Sequence, residues 1–335
     1  MPRGEIDGPT ERADPRPQLP NPANAPFART SVSIRLYPHN DLDAGAIVSE
    51  LSAQAGLALT SGFDGVMTSE HHGGFAGYMA QPLQMASFVL AEHTSGWVAA
   101  APLLLPLRST ALVAEEVAWL NAHYPGRVGV GVAIGALPLD FEIAGQDLSK
   151  AIDSFKSELP RLVAMLRGEE LGPLANDPAL RSCSLWPVPV LSAAVSNAAA
   201  IRAARHGAGL LIEGMSHPSR VARLCAAYDK AGGTGSKVLI RRVWLGAIHS
   251  ELVDRQRTVY DSYSTSAKAF GSDQTVTAES PTELVDQLSA LIASTGVDAL
   301  NLRVHLPGVT PEAARDQIEM LGSMVVTPLK GSWPD

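Results

Sequence analysis

Apolar residues along the chain fall into two alternating patterns. Short runs of β-branched and small apolar residues are each followed by a longer stretch whose apolar positions recur at helical spacing. "SVSIRLY" precedes "LDAGAIVSELSAQAGL", and "FDGVMTSE" precedes "PLQMASFVLAEHT". "GWVAAAPLLL" then leads to "ALVAEEVAWLNAHY", and "RVGVGVAI" to "AIDSFKSELPRLVAMLR". "VPVLSAA" is followed by "SNAAAIRAARHG", and "AGLLIEG" by "SRVARLCAAYDKAG". "KVLIRRVWLGAI" opens a long polar stretch that ends in "PTELVDQLSALIAST", and "VDALNLRVH" precedes "PEAARDQIEMLGSMVV".

These are eight strand–helix units. A crossover helix makes its flanking strands parallel, and eight such units close into a (β/α)8 TIM barrel. An open doubly wound sheet fits less well, because "GVGVAIG" lacks GxGxxG spacing and no acidic residue ends a following strand. We expect a flexible tail at residues 1–29 and one barrel domain at 30–335, with no linker dividing it. The polar stretch after the seventh run, "HSELVDRQRTVYDSYSTSAKAFGSDQTVTAES", is long for a barrel connection and reads as a substrate lid.

Composition narrows the partners. The 335 residues are 46% hydrophobic and 18% charged, enough for a large core, and no apolar run reaches the length of a membrane span. A net charge of −8, without basic clusters interleaved with aromatics, disfavours nucleic acid. The opening residues are rich in Pro and charge and lack the apolar stretch of a signal peptide. Cys183 and Cys225 have no CxxC spacing and read as reduced thiols, so a cytoplasmic protein is expected.

In such barrels the chemistry sits at the C-terminal ends of the strands. That rim carries Glu70, His71 and His72, then Ala101–Pro102, Ile134–Gly135, Ser196–Asn197 and Glu213–Gly214, with Arg303 and His305 at the last strand. Adjacent histidines on an extended chain point to opposite sides, unlike the pairs of HExxH or HxH, so no metal site is expected. Both rings could simply hydrogen-bond at a loop edge. The functional alternative is proton transfer, for which imidazole is suited near neutral pH. Gly73 and Gly74 behind them allow close approach of a flat ligand.

Four stretches resemble the bacterial luciferase-like family of flavin-dependent oxidoreductases. They are "SEHHGG", "VAAAPLLLPL…ALVAEEVAWLN", "PGRVGVGVAIGALPLDFEIAGQD" and "VDALNLRVHLPGVTPEAARDQIEMLG", in the family's order. The resemblance implies a (β/α)8 barrel and a catalytic role for His71, with Glu70 and His72 beside it. It also implies a cis peptide at Ala101–Pro102 under the cofactor ring. A cofactor site would include Ile134, Gly135, Ser196, Asn197, Glu213 and Gly214, with the phosphate at the helix start after the fifth strand. Two positions depart from the family: Ile134 stands where luciferases carry a phosphate-binding arginine, and Asn121 replaces the usual Asp before the "GR" turn.

The resemblance thus implies a monooxygenase that uses reduced FMN and O2 to oxygenate a small organic substrate. The flavin would come from a separate reductase, since the chain shows no nicotinamide-binding domain. Within the family, a deazaflavin-dependent hydride-transfer oxidoreductase is the alternative. A non-catalytic flavin-binding protein or a metal-dependent hydrolase would be a different class. Ile134 predicts weak FMN retention, with neutral donors and a rim arginine such as Arg303 supplying the attraction. The helices "PLQMASFVLAEHT" and "ALVAEEVAWLNAHY" carry more apolar residues than one buried stripe needs, and with the resemblance they predict a homodimer.

Overall fold

The computed structural model describes residues 24–75, 77–247, 251–252, 254–255 and 274–334. Its strands are β1 (Val32–Arg35), β2 (Gly65–Thr68), β3 (Trp97–Leu104), β4 (Val128–Ala133) and β5 (Val190–Ala193). β6 (Gly209–Ile212), β7 (Lys237–Leu245), β8 (Val276–Ala278) and β9 (Ala299–Arg303) complete the set. β1 to β7 pair in sequence order, β7 pairs with β9 and β9 with β1, all parallel. Eight strands therefore close into a barrel, as the alternation predicted. β8 is an addition that the sequence pattern hid: three residues in a polar stretch, paired with the last residues of β7. Most of the expected lid lies outside the described residues.

The helices follow the strands on the outside. Those used below are α1 (Ala44–Ser61), α2 (Pro82–Glu92), α3 (Thr110–His123), α4 (Pro138–Ala144), α5 (Ala151–Met165), α6 (Pro178–Ser182), α7 (Asn197–Arg205) and α8 (Pro218–Lys230). Local chemistry fixes their ends: Asp43 caps α1 by accepting from the Ala46 N–H, and Gly62 ends it at φ 123°.

Period-2 alternation sorts each strand's residues between two cores. Val32, Ile34, Leu300 and Leu302 face the helices in the large outer core. Met67, Trp97, Ala99, Leu191, Leu211, Val238 and Ala299 fill the barrel itself. Gly65 is needed there, because a Cβ would lie 2.1 Å from the Trp97 ring. Phe27, which the sequence reading left in the tail, is only 1% exposed and packs edge-on against Trp97 at 5.1 Å. It belongs to the barrel's inner core.

Toward the C-terminal end the inner lining turns polar. Register places Arg35 of β1 beside Arg303 of β9, and Arg303 beside Arg242 of β7. Three adjacent strands thus carry arginines at one level, and all three are buried.

Candidate active site

β2 ends in Thr68, and the next residues tie its end to that of β3. The Glu70 N–H donates to the Pro102 carbonyl at 3.0 Å, and the Ala101–Pro102 peptide is cis, as expected. The Glu70 carboxylate accepts from the Leu104 N–H at 2.6 Å, from the Arg108 guanidinium, and from His72 Nε2 at 3.1 Å. Glu70 is 1% exposed. With both oxygens engaged, it ties the ends of β2 and β3 together at the rim. Arg108, which holds it, went unnoticed in the sequence.

His71 is held by a different acid. Its Nδ1 lies 2.7 Å from Asp140 Oδ2, and the His72 N–H donates to Asp140 Oδ1 at 2.8 Å. Asp140 sits in the first turn of α4 and is fully buried. Burial opposes its ionisation. The hydrogen bonds from the His71 ring and the His72 N–H, with the charge of both histidines, nevertheless bring its carboxyl below the usual aspartate value. An ionised Asp140 can only accept, so His71 Nδ1 carries the proton of that bond. Sequence reasoning missed Asp140. Pro138 opening a short helix with an acid in its first turn was the available signal.

Rings continue from His71 across the mouth. His71 lies 4.5 Å from Tyr78, Tyr78 5.3 Å from Tyr37, and Tyr37 is stacked on His305 at 5.1 Å. The Arg303 guanidinium sits 4.3 Å over the Tyr37 ring. Arg303 is therefore an inner residue of β9, separated from β5 by β6 and β7, and not a helper at the helix start after β5.

At that helix start Ser196 caps α7, its hydroxyl accepting from the Ala199 N–H at 3.2 Å. Ser196 and Asn197 are exposed. The cation beside them is Arg220 of α8, whose guanidinium donates to the Val195 carbonyl. Glu213 turns inward on its own loop, accepting from the Met215 N–H at 2.7 Å and the Ser216 hydroxyl at 2.6 Å. The Gly214 carbonyl accepts from Arg241 at 3.1 Å. Ile134 packs against the apolar clusters behind β4, and Gly135 turns there at φ 81°. The expected residues thus form two groups: Glu70, His71, His72, Ala101 and Pro102 on one side, and Ser196, Asn197, Glu213 and Gly214 on the β5–β6 side. Asn121 bonds the Trp186 carbonyl at 2.9 Å and the Gly126 N–H at 3.3 Å, a structural role.

Comparison with known proteins supplies independent context. Residues 30–241, well over half of the chain, match the profile of a family described as luciferase-like monooxygenase. Monooxygenase RslO1 from Streptomyces bottropensis superposes with a TM-score of 0.74 at 18% identity, covering 89% of this chain and 99% of its own. The oxygenating constituent of 3,6-diketocamphane monooxygenase from Pseudomonas putida, in complex with FMN, gives 0.69 at 16% identity, covering 90% and 98%. An F420-dependent secondary alcohol dehydrogenase, in complex with an F420-acetone adduct, gives 0.66 at 13%, covering 92% and 100%. At these identities the likeness to solved structures is one of fold. No curated protein matches the sequence.

Proposed function

The chain belongs to the luciferase-like monooxygenase family, and from that premise we propose that it is an FMN-dependent monooxygenase acting on a small organic substrate with O2. The observation that carries this reading is the buried Asp140 holding His71 at the barrel mouth. A carboxylate that fixes an imidazole's tautomer equips it for proton transfer.

The residues present suit a flavin. Small side chains line the floor beside the cis peptide, where a Cβ on Gly131 would come within 2.8 Å of the Ala101 Cβ. A phosphate would meet the α7 start, with its dipole, the Asn197 N–H and the Arg220 guanidinium. Gly135 allows close backbone approach between these two sides.

When bound, reduced flavin supplies the two electrons that let O2 give one oxygen atom to the substrate and the other to water. The water's formation consumes protons, and His71 Nε2 is the group at the mouth placed to hold and deliver one. Asp140 balances the imidazolium that forms when Nε2 takes up a proton. Phe75, 4.9 Å from His71, and Tyr78 wall the ring on its apolar side and exclude water there. Glu70 and Arg108 hold the β2 and β3 ends in register beneath it.

The proposal includes a separate reductase as electron donor and a cytoplasmic setting. It also includes a homodimer through α2 and α3, where Phe88, Leu112 and Trp119 are exposed at 37%, 58% and 55%. Oxygen uptake with chemically reduced FMN and a substrate panel tests the activity, beside absorbance titrations with FMN and deazaflavin. Substrate-dependent uptake that falls in His71→Ala supports the reading. Tight deazaflavin binding without FMN binding would replace it with hydride transfer.

A further inference from the structure

Around the mouth, the groups suited to the cofactor lie on β3 to β6, at Ala101, Gly135, Ser196 and Arg220. The remaining arc, β7, β9, β1 and the loop after β2, is lined differently. It holds the aromatic series Tyr78, Tyr37 and His305 above the in-register arginines of three strands.

Two features of that arc are unexplained by the barrel's stability. The first is Arg35, which is 2% exposed. Its Nε donates to the Asn301 side-chain oxygen at 2.8 Å, one terminal nitrogen to the Ala101 carbonyl at 2.7 Å, and the other faces Met67 Sδ at 3.8 Å. These acceptors are all neutral. Burial pulls the guanidinium below its ordinary value and Arg303 adds to the depression, opposed by the Tyr37 and Tyr78 phenols. An arginine does not shed its proton in a protein, so the site keeps a buried positive charge whose desolvation is only partly offset. The second is His305 Nδ1, which is buried with no hydrogen-bond partner. Burial, reinforced by Arg303, His39 and Arg242, pushes this imidazole well below the ordinary histidine value, so it is neutral at physiological pH. A buried polar atom left unmatched in a folded protein points to a missing partner.

We propose that this arc is the substrate subsite, and that it takes a flat ring bearing an ionisable oxygen (a phenol or enol) as its anion, with Arg35 as countercharge and His305 as hydrogen-bond partner. The inference rests on the monooxygenase reading for the word substrate, but the binding chemistry stands without it. Aromatic walls select a flat ligand. A fixed cation near a low-dielectric floor favours the charged form of an acid bound above it. Among the described acids near the mouth, Glu70 is paired with Arg108 and Asp140 is hydrogen-bonded to His71. The cations facing the arc are Arg35, Arg303 and Arg242, and its other polar groups are His305, His39, Tyr37 and Tyr78.

The test uses 4-nitrophenol, whose spectrum reports its ionisation, and 4-nitroanisole, the same ring with its oxygen capped. Both are titrated into the full-length protein without cofactor, slightly below the pH at which free 4-nitrophenol is half ionised. We expect saturable binding of 4-nitrophenol as the phenolate, at least tenfold tighter than 4-nitroanisole. Arg35→Gln should abolish that preference and return the bound probe to its phenol form. His305→Leu should weaken 4-nitrophenol binding about tenfold, and His305→Gln, which keeps a polar group near the rim, should restore part of it. Equal affinity for the two probes, no saturable binding of either, or a phenolate spectrum retained in Arg35→Gln overturns the proposal. A parallel FMN titration separates the two readings: FMN binding without a nitrophenol site defeats only this inference, whereas the converse defeats the cofactor assignment.

Discussion

Replacing Asp140 by Asn tests the proton chemistry at its support while conserving shape. The carboxylate accepts two hydrogen bonds, from His71 Nδ1 at 2.7 Å and from the His72 N–H at 2.8 Å. Each bond to a charged acceptor is worth about 1.5–3 kcal/mol. The Asn oxygen can keep the backbone bond, but its NH2 then faces a nitrogen that carries a proton. Two donors cannot bond, so His71 must move its proton to Nε2 and lose the acceptor that faces the mouth. If His71 works through Nε2, turnover falls by about 10²–10⁴-fold, while FMN affinity stays within about twofold because no proposed cofactor contact is touched. Nitrogen-15 NMR of labelled histidine reads the tautomer directly, and oxygen uptake with reduced FMN reads turnover. Stability should follow the same carboxylate. Its folded value lies below the ordinary aspartate value of 3.8, so its contribution is complete above that pH and is lost as pH falls through the folded value. The stability gap between wild type and Asp140→Asn should therefore be flat near neutrality and narrow in strong acid. An Asn variant that keeps Nδ1 protonated and turns over normally would refute the whole chain of reasoning.

Three further outcomes are expected. FMN should bind about tenfold to a hundredfold tighter than riboflavin, the worth of one charge-assisted bond, and Arg220→Gln should remove most of that difference; equal affinities in wild type would exclude a phosphate site at α7. Trp119→Glu should shift the protein from dimer to monomer in light scattering at micromolar concentration, and a wild-type monomer there removes the interface. Burial pushes the thiols of Cys183 and Cys225 up to about 11 and about 12, so neither should react with a disulfide reagent at pH 8 until denaturant is added, and rapid labelling of the native protein would contradict their burial.

The barrel was legible because its outer layer obeys a generic rule. In "SVSIRLY" and "ALNLRVH" every second residue (Val32, Ile34, Leu36; Leu300, Leu302, Val304) is apolar and faces the helices, so strand after strand could be read from period alone. The resemblance pointed to the cis bond at Ala101–Pro102 and to His71. What stayed hidden lies on the other parity or depends on long-range contact. Asp140 meets His71 across 69 positions of chain, and no local pattern encodes such a meeting. Phe27 sits among prolines that read as tail, although the barrel's floor closes on it. Ser33, Arg35 and Asn301 break the apolar pattern in plain view, but period alone gives them no role. In a closed barrel there is no solvent-facing half, because the inner face is enclosed. A polar inner residue must therefore be matched within the barrel, as Asn301 matches Ser33 at 2.9 Å and Arg35 at 2.8 Å, or await a ligand. Polar residues at inward parity near a strand's C-terminal end are thus the positions where such a sequence departs from what folding alone asks of it.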